Sequence, residues 1–153
     1  MTPRRTAFGL AATALTGISS LLVRPAHAEG KHHRVVFQIS SSEPGTMNLA
    51  INNMTAMRTL YEERGETVGI ELVAYGPGLL MLREGMSPVQ DRLAGLKGVT
   101  LSACENTMRA VEKAEGQPVR LLAQARTVPA GVVRLVELQE AALEALEVAL
   151  EEH

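Results

Sequence analysis

The residues best suited to chemistry are one cysteine and its neighbours, in the run Val99-Thr100-Leu101-Ser102-Ala103-Cys104-Glu105-Asn106-Thr107-Met108. Val99 to Ala103 reads as a short buried strand, and a helix begins near Glu105. Cys104, the chain's single cysteine, therefore falls at a strand-to-helix junction. Free N–H groups at a helix start favour an anion, and a thiol beside them has its pKa drawn down toward the nucleophilic thiolate. Ser102 and Asn106 are placed to add hydrogen bonds. Glu105 acts in the opposite sense, so the net shift has no sign at this level. A buried structural cysteine is the competing reading.

Other catalytic constellations are missing. There is no glycine-rich phosphate loop, no Ser-His-Asp order and no His-x-x-x-His. Past residue 28 the histidines are His32, His33 and His153, all near the ends, so none is placed to activate Cys104. Without a base, Cys104 suits a sulfur carrier or a redox thiol better than a hydrolytic nucleophile. One cysteine excludes an internal disulfide framework and a cysteine-based zinc site. His32-His33 would point opposite ways on extended backbone, which reads as solvated linker rather than as a metal pair. No metal and no cofactor is expected.

The elements that must position Cys104 follow from periodicity and turn chemistry. Val35-Val36-Phe37-Gln38-Ile39 is a strand, and Ser40 to Thr46 a turn. Met47 to Arg64 is a helix with Ala50, Met54, Met57 and Tyr61 toward the sheet and Gly65 as its stop. Asn48, Asn52, Thr55 and Thr59 make a second, uncharged polar stripe on it, which fits a subunit contact, a pocket wall or a merely polar surface. Ile70 to Tyr75 is the second strand, ended by Gly76-Pro77-Gly78. Leu79 to Glu84 and Val89 to Leu96 read as short helices, and Glu105 to Glu115 as the helix after Cys104. Val119 to Ala123 fits a fourth strand. A last helix begins at Thr127-Val128-Pro129 and runs toward the C-terminus.

This alternation predicts an α/β single domain: a parallel sheet of about four to five strands with helices on both faces, in a flavodoxin-like order. With the strands ordered 2-1-3-4, the ends of strands one and three meet at a switch point. The Ser40–Gly45 loop, with Ser41 and Ser42, would then line a crevice with Cys104. The turn of Tyr75, Gly76 and Gly78, after strand two, would lie across strand one from it, with glycines that leave room for backbone to approach.

Composition bounds the rest. The chain has 153 residues, 46% hydrophobic and 3% aromatic, with no tryptophan. One core of aliphatic side chains and methionine fits this length, and the lack of aromatics argues against base stacking. Arg4-Arg5, an apolar run from Ala7 to Val23 and Ala26-His27-Ala28 read as an export signal over 1–28, of twin-arginine type, cleaved before Glu29. An ordinary secretory signal is the alternative. Either implies a periplasmic protein with no stable membrane anchor. Cleavage removes Arg4, Arg5 and Arg24 and no acid, leaving 125 residues with 12 basic and 17 acidic side chains, a net charge of −5. Such a surface predicts no nucleic-acid partner. Residues 29–33 are a linker, 34–140 the domain and 141–153 an amphipathic helical extension. On the last helix Glu137, Glu140, Glu144, Glu147 and Glu151 form an acidic stripe, and Val136, Leu143, Leu146 and Leu150 an apolar one. The helix either packs on its own domain or pairs between subunits.

Taken together, Tyr75-Gly76-Pro77-Gly78, the first helix with Asn48, Asn52 and Asn53, and Gly98-Val99 leading into Ala103-Cys104-Glu105-Asn106-Thr107-Met108 resemble the DsrE/DsrF-like family over about Arg34 to Glu140. The resemblance implies a compact α/β sandwich assembling as homotrimers or hexamers. Its best-known members pass sulfur as a cysteine persulfide, in sulfur oxidation or transfer-RNA thiolation in the cytoplasm. It places the persulfide on Cys104 and implies a sulfur donor or acceptor protein as partner. An export signal does not fit the transfer-RNA role. A helical tail, where the family has a short final strand, is a second departure. Two functions follow: an exported sulfur carrier using Cys104, or a non-catalytic oligomeric binding module in which Cys104 is structural.

Overall fold

The computed structural model describes residues 30–151. The expected export signal lies outside the described residues. The elements are β1 (His32–Ile39), α1 (Pro44–Glu63), β2 (Thr67–Ala74), a 3-10 helix (Gly76–Leu82), α2 (Gln90–Ala94), β3 (Val99–Cys104), α3 (Glu105–Glu115), β4 (Ala125–Val128) and α4 (Gly131–Glu151).

The four strands form one parallel sheet in the order β1-β2-β3-β4. The expected 2-1-3-4 order is thus not found. Each crossover steps to the next strand in the same direction, so β2 separates β1 from β3 and no switch point exists. A right-handed rule then sends all three crossovers to one face. That face carries the core. The rows Val35–Ile70–Val99, Phe37–Leu72–Leu101–Ala125 and Ile39–Ala74–Ala103 are in register. They pack with Met47, Ala50, Ile51 and Met54 of α1, Leu79, Met81 and Leu82 of the 3-10 helix, Leu93 of α2 and Met108 and Val111 of α3. Aliphatic side chains and methionine fill the space that aromatics would occupy elsewhere.

The opposite face alternates with the first and is far more polar: Val36–Glu71–Thr100, then Gln38–Val73–Ser102–Arg126, then Cys104–Val128. Among the described residues it is crossed by α4 alone, which touches β1, β2 and β3.

Several boundaries differ from expectation. His32 and His33 belong to β1, paired with Thr67 and Val68, and not to a linker. The first helix is capped at Glu43 with Pro44 in its first turn, three residues before Thr46. The fourth strand is Ala125–Val128, not Val119–Ala123. The earlier segment instead makes an antiparallel bridge, Leu121 with Arg83, and sends Val119 and Leu122 into the core. The last helix starts at Gly131, after Pro129, because Thr127 and Val128 are still in the sheet. Arg83, buried, closes this corner with a bidentate pair to Glu115 at 2.7 and 2.6 Å.

Candidate functional site

Cys104 ends β3 and is the N-cap residue of α3. Its side chain lies on the polar face of the sheet, where the N-terminus of α4 also arrives. The residue is 4% exposed. Burial pushes its pKa up, but four donors outweigh that and hold it below the ordinary value: the Thr107 hydroxyl and the backbone N–H groups of Gly131, Thr107 and Asn106. Two helix starts therefore converge on one sulfur. Glu105, adjacent in sequence, is turned to an ion pair with Arg109 on the surface.

The turn after β2 builds the rest of this environment. The Gly76 N–H donates to Thr107 Oγ1 at 2.9 Å, which leaves the Thr107 hydroxyl proton for the sulfur. Gly76 has φ +52°, a left-handed value open to glycine. A Cβ on Gly78 would lie 2.1 Å from the Ile39 carbonyl oxygen, so the turn closes on the end of β1 only with glycine there. Tyr75 packs on Gly131. A Cβ at Gly131 would meet the Tyr75 Cδ1 at 2.9 Å and Cβ at 3.0 Å. The absence of a side chain at Gly131 is what lets α4 start beside the thiol.

The α4 helix is held over the sheet by a buried charge. Glu71, in the middle of β2, accepts from Arg134 Nε at 3.0 Å and Nη2 at 2.9 Å, from Arg126 Nη2 at 2.9 Å and from Ser102 Oγ at 2.7 Å. Arg126 Nε also donates to Ser102 Oγ at 3.1 Å. Burial pushes the Glu71 carboxyl up, but the hydrogen bonds from Arg134, Ser102 and Arg126 and the charge of Arg126 outweigh it, so its pKa is held down at about 2.

Of the residues singled out from sequence, Tyr75, Gly76 and the backbone of Asn106 gather around Cys104. The Asn106 side chain accepts from Arg109 instead. Ser102 shares the sheet face but serves Glu71 and Arg126. Ser41 accepts from the Glu43 N–H at 3.1 Å in the turn after β1, and Ser42 is exposed beside it. With β2 between β1 and β3, that turn does not share a crevice with Cys104. Asn48 and Asn52 lie on the other side of the sheet and clamp Arg92 of α2, with Arg92 Nη2 to Asn52 Oδ1 at 2.7 Å. Gly131, Thr107 and the Glu71–Arg134 pair are the contributors that sequence reasoning missed.

Two cavities flank α4 on the polar face. A cleft of about 370 Å³ lies between α4 and the sheet, with His32, Arg34 and Val36 of β1, Glu71 of β2 and Thr100 of β3 on one side and Leu138, Gln139 and Ala142 on the other. One of about 310 Å³ lies on the β4 side, over Arg126, Val128, Ala130 and Arg134. Cys104 lines neither. Among the described residues no group of three or more His, Cys, Asp or Glu side chains could hold a metal, and no helix is long and apolar enough to cross a membrane.

No family model and no curated protein matches the chain. Among solved structures, that of MTH1491, a protein of unknown function from Methanobacterium thermoautotrophicum, is similar. The two share 32% identity over 72% of this chain and 94% of that one, with a TM-score of 0.63.

Proposed function

This chain belongs to the same family as the methanogen protein MTH1491, itself of unknown function, and on the environment of its one cysteine we propose that it is a sulfur carrier that holds one sulfur atom as a persulfide on Cys104. The observation that carries the reading is the convergence of two helix N-termini and the Thr107 hydroxyl on a single thiol. The resemblance to DsrE/DsrF-like proteins supports the same chemistry. Donors aimed at sulfur stabilise the thiolate before transfer and the persulfide anion after it.

The transfer balances without an outside oxidant. The Cys104 thiolate attacks the terminal sulfur of a donor persulfide, R–S–SH. A new S–S bond forms on Cys104 as the donor's S–S bond breaks, and the donor leaves as the thiolate R–S⁻. Delivery to an acceptor is the reverse with a different thiolate.

The test is intact-mass analysis after exposure to inorganic polysulfide. The expected gain is about 32 Da, one sulfur atom, removed by a reducing thiol. Cys104→Ser is expected to show no gain while keeping its far-UV circular dichroism. A wild-type chain that gains no sulfur and whose thiol reacts only on denaturation would make Cys104 structural, and the binding-module reading would replace this one.

Export is part of the proposal. It rests on Arg4-Arg5, the apolar run and Ala26-His27-Ala28. N-terminal sequencing of protein from the periplasm of the producing cell should begin at Glu29. Recovery of the chain with Met1 intact, in the cytoplasm alone, would overturn it.

A further inference from the structure

We infer that α4 docks along its length against α4 of a second copy of this chain, parallel and in register, about a two-fold axis that runs alongside the helices. The inference is independent of the chemistry of Cys104.

The helix carries Val132, Val136, Gln139, Leu143 and Leu146 at alternating spacings of four and three residues, the seam of a coiled coil. The four apolar members are 46% to 61% exposed, so among the described residues nothing covers the seam. With 3.6 residues per turn, the seam points roughly 110° away from the face of Gly131, Arg134, Leu135 and Leu138 that packs on the sheet. It points away from Ala130, Val133, Arg134 and Glu137, which line the cavity on the β4 side, and therefore toward β1.

Packed helices lie about 8–10 Å apart, and neighbouring strands about 4.8 Å. A second helix laid on the seam, about two strand spacings from its mate, therefore lies along the β1 edge of the sheet. Under a two-fold axis parallel to α4, the second copy's domain lies on the far side. Its helix then turns its solvent-facing residues, Glu140 and Glu147, onto the first copy's β1. That strand presents exposed Arg34 and His32, and Arg34 has no ion pair among the described residues. The same contact recurs with the copies exchanged. Gln139, the one polar member of the seam, meets its own counterpart and the two amides pair.

The occupant is a second copy because this chain supplies both halves: the acidic flank of one helix and the basic strand beneath its neighbour. An antiparallel pair fits worse. It would set Glu140 and Glu147 of one helix beside the same acids of the other, and it would bring both sheets to one side, where the two β1 strands compete for the same space.

The purified chain is expected to sediment with an even number of copies at micromolar concentration, and Leu143→Glu/Leu146→Glu to halve that number with unchanged circular dichroism. Gln139→Cys, placed in a Cys104→Ser background, should form a disulfide with its own counterpart on mild oxidation. Arg34→Glu and Glu140→Arg should each weaken association about tenfold or more, and the two together should restore it. A single-chain mass, a mass indifferent to the glutamates on the seam, or a Gln139→Cys variant that does not cross-link would each overturn the inference.

Discussion

Glu71→Ala should lower stability by about 3–5 kcal/mol, the range for removing one partner of a buried ion pair. For a domain of this size that is a fall of roughly 10–20 °C in Tm. The reason is local. Glu71 sits among Val73, Leu72 and Ile70 in a central strand, and both Arg134 and Arg126 turn to it. Its removal takes away the one acid that Arg126 pairs with among the described residues and leaves Arg134 with Glu137 alone, at 3.1 Å.

The same pair gives a pH dependence with a definite sign. The folded pKa is depressed to about 2, from an ordinary value of 4.5. The stabilisation is complete above the unfolded value and is lost as pH falls from about 4.5 through about 2. A shift of this size corresponds to about 3 kcal/mol. Calorimetry on wild type and Glu71→Gln between about pH 7 and about pH 2 reads it directly. The wild type should lose its advantage over the variant across that window. Two melting curves that stay a constant distance apart would show that the carboxylate's charge is not what holds α4.

The second large effect is on the thiol. Gly131→Ala forces α4 away from Tyr75, since the new Cβ would lie 2.9 to 3.2 Å from three atoms of that side chain. The Gly131 N–H then leaves the sulfur. Thr107→Val removes the hydroxyl donor and leaves the Gly76 N–H without its acceptor. Each change should raise the midpoint of the thiol's pH titration and slow its reaction with a small alkylating agent at neutral pH severalfold, the lost thiolate fraction outweighing the gain in intrinsic nucleophilicity. The midpoint separates this from simple unfolding, which would speed the reaction instead. Variants that titrate as the wild type does would remove the two-helix account of Cys104.

Much of the frame is legible from residues. The ends of β3 and α3 around Cys104 can be read to within a residue, because an apolar β-branched run gives way there to polar helix formers and Gly116 ends the helix in the left-handed region. β4 is not legible. Arg126 and Thr127 are half-exposed or exposed on an edge strand, and Pro129 masks the segment as a helix start. Val119 to Leu122 looks more strand-like for a physical reason, since Val119 and Leu122 do enter the core, but from a connecting segment bridged to Arg83. The strand order is beyond periodicity, which says which face a residue takes and nothing about which strand lies next.

The site shows the same division. Cys104, Tyr75 and Gly76 can be found because turn chemistry and a junction mark them. Gly131 cannot, because its role is the atom it lacks against Tyr75. Glu71 does leave a signal: a single carboxylate inside Ile70-Glu71-Leu72-Val73 must find a cation when the strand is buried.

The unreversed strand order also bears on how the chain comes together. Each strand pairs with its successor, and the paired positions draw closer along the sequence: 35 residues from Val35 to Ile70, 29 from Ile70 to Val99, 24 from Leu101 to Ala125. The sheet can therefore grow from the N-terminus by successive short closures, each smaller than the last, as residues emerge in order. Only α4 has to travel back across strands already laid down, to bring Arg134 to Glu71 and Gly131 to Cys104. The environment of the thiol is thus completed by the last step of folding, and until that helix lands the sulfur has the donors of α3 alone and lacks the Gly131 N–H.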